Sequence, residues 1–160
     1  MKALREGVVV GLVGALALAI WFLFVDAVAG RPLHTPATLG IALFGGPHMP
    51  VWLRSGVMGP VIGYTAFHGA VFIAAGILLA SVVRMLDQEP AIFLVAFFAL
   101  FVFFEFAYFV YAIAFVQRVM DEVSLPILIA GNAVAGGAMA GWLYAHHPRL
   151  HFRWELKLNA

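Results

Sequence analysis

Four side chains stand out because of where they fall. Asp26, His68, Glu105 and Asn132 each lie inside a long apolar stretch of this 160-residue chain. Ionisable groups surrounded by hydrocarbon are costly, so each marks a functional site or a structural bond by default. A His beside a carboxylate can relay protons, since imidazole exchanges them near neutral pH. The same pair can simply hold helices together, each interhelical hydrogen bond in a membrane contributing about 0.6 kcal/mol on average. A metal or cofactor site on His68 and Glu105 needs further ligands, which His34 or His48 would have to supply. Tyr64 stands one turn before His68, and Tyr108 three positions after Glu105, so both extend the cluster along the same helix faces. Structural pairing, proton or ion handling, and metal binding all stay open on this pattern. Haem is disfavoured because His68 is alone among the histidines in lying within a span. Ser55, Ser81 and Ser124 have no His–Asp context, and neither HExxH nor GxSxG occurs, so nothing points to hydrolysis. The expectation is a protein that is not an enzyme, and no particular cofactor is specified.

The elements that must position these groups follow from composition. The chain is 64% hydrophobic and 11% charged, against roughly 45–50% and about 25% for soluble domains. A soluble fold of this length could not bury so much apolar surface, so lipid has to be the solvent for much of it. With a net charge of +1, nothing favours nucleic acid, and with no cysteine, thiolate chemistry and disulfides are excluded. Spanning a bilayer takes roughly 20 apolar residues. Four stretches qualify, at about residues 7–29, 59–83, 91–116 and 125–145. The first resembles a signal peptide, with Lys2 and Arg5 before it. Its apolar run is too long for that, and Asp26 sits beside the would-be cleavage site. The expected fold is therefore all-α, a single four-helix transmembrane bundle. Measured from the outer ends, Asp26 lies about three residues deep, Asn132 about seven, His68 about nine and Glu105 about eleven, so one cluster could collect all four.

The longest connection joins the first two spans. It is apolar and almost uncharged, which argues for order. Thr35 is a plausible N-cap and Pro36 a plausible first helical residue, so 37–44 should form a short interfacial or re-entrant helix, stopped by Gly45-Gly46-Pro47. Met49 and Trp52 suit the headgroup level, and His34 and His48 read as solvated loop residues. Asp26, at a helix C-terminus, opposes the macrodipole there and calls for a neutralising partner, Arg31 or His68. His146-His147-Pro148 favours the dipole of the last helix and ends it.

Stripes of small residues at spacing four predict which faces pack. They run through Gly7, Gly11, Ala15 and Ala19 on the first span and through Gly59, Gly63, Ala66, Ala70 and Ala74 on the second. The last span carries Asn132, Gly136 and Ala140 with Gly137 and Gly141 beside them. The first, second and fourth spans should therefore pack tightly. The Phe-rich third span suits exposure to lipid, or to a partner subunit or second copy. Of the nine Lys and Arg residues, Lys2, Arg5, Arg84, Arg149, Arg153 and Lys157 fall on the side of the termini. Arg31, Arg54 and Arg118 fall on the other, which places both termini in the cytoplasm. The cationic tail with Trp154, Leu156 and Leu158 reads as an anchor on anionic lipid.

Asp26 followed by Gly30-Arg-Pro-Leu33, Thr35-Pro36, Leu39-Gly40, Phe67-His68-Gly69, Glu105 in a Phe-rich stretch, Gly131-Asn132 and His147-Pro148 give the chain a likeness. It resembles the small uncharacterised four-helix membrane proteins of bacteria. The resemblance implies a multi-pass protein of the inner membrane and carries no activity.

Overall fold

The structure, a computed structural model, describes residues 2–44, 56–85 and 124–146. The expected span at 91–116, with Glu105 and Tyr108, lies outside the described residues, as do His48, the stop at 45–47 and the C-terminal tail. The described chain forms α1 (Lys2–Val28), α2 (His34–Phe44), α3 (Met58–Met85) and α4 (Leu125–His146). It is an all-helical bundle. α1, α3 and α4 are long and apolar enough to cross a membrane. Leu12, Leu16, Ile20, Phe24, Ile62, Leu78 and Val134 are exposed, as suits helices whose outer faces meet hydrocarbon rather than water.

α1 is the hub. α3 and α4 both pack on it and hardly touch each other, so the tight packing expected of three spans is two separate helix pairs sharing one member. The α1–α3 pair meets backbone to backbone. A Cβ on Gly7 would overlap the Ile77 backbone, one on Gly11 would overlap Phe72 and Ile73, and one on Gly76 would overlap Gly7 and Gly11. Lipid tails give apolar helices no hydrophobic reason to associate, so this close approach, with the dispersion contact it brings, is what joins them. The contacts pair the start of α1 with the end of α3, so the two run antiparallel. At that end Arg84 bonds Glu6 through Nη2 at 2.5 Å and Nε at 3.1 Å. α4 is also antiparallel to α1, with Gly14 against Met139 and Gly131 against Leu18 and Trp21. The start of α1 and the end of α4 therefore lie at the same end of the bundle.

The small-residue stripes predicted the α1 face correctly at Gly7, Gly11 and Ala15, all buried. They misplaced the other two. On α3, Gly59 and Gly63 are buried, but Ala66, Ala70 and Ala74 are exposed, and the face turned to α1 runs instead through Phe72, Gly76, Leu79 and Val83. On α4 the buried line is Leu128, Gly131, Ala135, Met139 and Leu143, while Gly137 and Gly141 face open space. Both helices carry small residues on more than one face. The packed face is the one where they alternate with large side chains that fill the gaps, as close packing demands.

Candidate functional site

The site grows from the way α1 ends. Gly30 adopts φ +70°, with Arg31 N–H donating to Asp26 O at 2.8 Å and Gly30 N–H to Ala27 O at 3.0 Å. This is a Schellman termination, and Gly at that left-handed position needs no distortion. Arg31-Pro32-Leu33-His34 then turns the chain. His34 N–H donates to Arg31 O at 3.1 Å and Leu33 sits at φ +67°. Pro at the second position and a left-handed third residue are the marks of a type II turn, where Gly normally stands third. Leu33 carries that conformation at a cost of about 1–3 kcal/mol. Its carbonyl accepts the Ala37 N–H at 3.1 Å and so opens α2.

The turn delivers Thr35 to Asp26. Thr35 N–H donates to Asp26 Oδ2 at 2.7 Å, and Thr35 Oγ1–H donates to Asp26 Oδ1 at 2.6 Å. Both residues are buried, Asp26 to 4% exposure. A carboxylate borrowed from α1 thus caps the N-terminus of α2, meeting an otherwise unsatisfied N–H and the positive end of that helix dipole. This corrects three expectations. Asp26 is hydrogen-bonded by Thr35 at the α2 terminus, and its partner is neither Arg31 nor His68. α2 starts at His34, so Thr35 is a first-turn residue whose N–H is capped, not the cap itself. Arg31 turns to His34, its Nη1 donating to Nε2 at 3.3 Å. A guanidinium in that place is electrostatically unfavourable for a metal ion on His34.

α2 is held down along its length. Thr35, Ala37, Leu39 and Gly40 are buried, and a Cβ on Gly40 would overlap the Pro60 backbone of α3. Between α1, the start of α2 and the first turns of α3 lies a cavity of about 200 Å³. Its walls include Leu18, Ile20 and Leu23 from α1, Leu33 and Thr35 beside them, and Tyr64, Thr65 and His68 from α3. His68 stacks on Tyr64 (centroids 5.5 Å apart, 27° between planes) and leans on Phe72 at 4.6 Å. Its Nε2 is buried with no hydrogen-bond partner among the described residues.

The expected cluster is thus brought together in part. Thr35, which is bonded to Asp26, lines the cavity, as do Tyr64 and His68. Asn132 is half-buried on α4 and is not one of the residues lining the cavity. Three contacts were missed by reading the sequence. Thr35 bonds Asp26 rather than capping its own helix, and a hydroxyl nine positions after an Asp in an apolar span is the signal for it. Trp21 donates from Nε1 to Ile127 O at 3.0 Å, over Gly131, where a Cβ would stand 2.7 Å from its ring. Glu6 and Arg84 both fall at span ends and were left out of the pairing. Remaining hydroxyls are satisfied locally, Thr65 on Val61 O and Ser81 on Ile77 O, each at 2.7 Å. His146 Nδ1–H donates to Trp142 O at 2.8 Å in the last turn of α4. Comparison with known protein families, with curated proteins and with solved structures returns no match.

Proposed function

We propose that this chain is a non-enzymatic, multi-pass accessory or scaffold protein whose intramembrane polar groups serve first to hold its helices in place. The observation that carries this reading is the Asp26–Thr35 contact. Both carboxylate oxygens are engaged by one residue of a neighbouring helix, in a buried position. An ionisable group used in this way fastens α2 to the bundle. The Lys and Arg distribution supports a placement with both termini in the cytoplasm. The likeness to small bacterial four-helix proteins supports the inner membrane. The Phe-rich composition of 91–116 suits lipid, a partner subunit or a second copy.

A second reading, proton-linked transport through Glu105 and His68, is favoured by the cavity at His68. A flux measurement separates the two. The full chain is reconstituted into liposomes holding a pH-sensitive dye, and a potassium-diffusion potential is applied. The scaffold account expects acidification no faster than in protein-free vesicles. Flux well above that background, lost in His68→Phe, would establish the transport reading instead.

A further inference from the structure

The cavity beside His68 has features that a helix-packing defect does not need. At about 200 Å³ it exceeds the roughly 150 Å³ of an engineered apolar cavity that takes up benzene. It therefore holds one six-membered ring with small substituents. Among its lining residues Ala19, Ile20 and Leu23 on α1 and Thr65 on α3 are exposed, and they mark its mouth. The three on α1 belong to the membrane-crossing part of that helix, so the mouth opens sideways into hydrocarbon. A molecule entering by that route must itself dissolve in lipid, which excludes charged ligands.

One wall is aromatic, with Tyr64 and His68 stacked. That wall suits a ring better than an acyl chain, because aromatic pairs gain from offset and edge contacts beyond the area they bury. The polar feature is the unpartnered His68 Nε2. His68 lines the cavity while its Nε2 is itself buried, so the ring has to turn about χ2, a broad torsion for His, to meet a guest. A buried polar nitrogen without a hydrogen-bond partner is unfavourable. A guest bearing one O–H removes that penalty.

We infer that the α1–α2–α3 cavity binds a neutral phenolic ring, entering from the bilayer, with its hydroxyl donating to His68 Nε2. This goes beyond the scaffold reading and does not depend on it. A binding measurement on the full chain in mild detergent, with 4-fluorophenol followed by ¹⁹F NMR, tests it. The expected result is a saturable resonance shift, reversed by phenol, with toluene at least tenfold weaker as a competitor. His68→Phe should remove the preference for phenol over toluene, and Ala19→Phe, which fills the cavity, should abolish saturable binding of both. If Ala19→Phe fails to fold, His68→Phe alone carries the test. Linear partitioning without saturation would overturn the proposal. So would equal competition by phenol and toluene on the unaltered chain, or a His68→Phe variant that still prefers phenol. A tailed hydroquinone that competes better than hydroquinone itself would identify a membrane-borne phenol as the source. Equal competition by the two would identify a free one. Liposome flux is read independently, so failure of the scaffold account leaves this result standing.

Discussion

A single carboxylate shows how a polar residue is tolerated in a chain this apolar. Asp26 sits where a negative charge is least welcome, at the C-terminal end of α1, yet its oxygens face the N-terminal end of α2. The N-terminal end of α2 offsets the unfavourable end of α1, and the geometry needs Gly30 and Leu33 in left-handed conformations to bring it there. The position of Asp26 was readable from the sequence, and so was its need for a partner. The partner's identity was not, because it depends on a turn in which Leu33 occupies a place usually given to Gly. Trp21 makes the same point from another side. Its indole N–H reaches a carbonyl on α4 only because Gly131 leaves room for the ring. Trp21→Phe keeps most of the packing and removes that hydrogen bond, while Ile127 O retains its place in the helix. The expected loss is about 1 kcal/mol, measured by unfolding in increasing fractions of sodium dodecyl sulfate in mixed micelles.

At the scale of elements, existence was legible and facing was not. The three described spans begin and end within a few residues of where apolar length and flanking charge put them, because hydrocarbon thickness sets that length. The short helix was also anticipated, from a Thr-Pro start in an apolar loop. Rotation of α3 and α4 about their axes was missed because glycine and alanine occur on several faces of each, and counting them ignores the large residues that must interleave. The difference has a direct consequence. Gly76→Leu drives a side chain into the α1 backbone at Gly7 and Gly11, with no flexible neighbour to yield. It should destabilise the bundle by 3 kcal/mol or more on the scale of about 1–3 kcal/mol seen for overpacking in general. Gly137→Ala and Gly141→Ala meet nothing within 4 Å. Each should be neutral or stabilising by up to about 1 kcal/mol, through the better helix propensity of alanine. Thermal unfolding in one detergent, run on all three variants, checks both statements.

Across the whole molecule, α1 connects everything described. It carries the glycines that meet α3, the Trp21 and Leu18 surface that meets α4, and the carboxylate that fastens α2. At one end Arg84 and Glu6 tie α1 to α3. At the other, the α2 clamp performs the equivalent task and at the same time builds a wall of the cavity. Loss of the clamp should therefore loosen α2 and open the cavity together. A double-mutant cycle on Asp26→Ala and Thr35→Ala, followed by unfolding in detergent, measures that clamp most directly. The account predicts a coupling of about 1–3 kcal/mol, within the range for residues that share a buried hydrogen bond. Additive single-variant losses, with a coupling indistinguishable from zero, would contradict it.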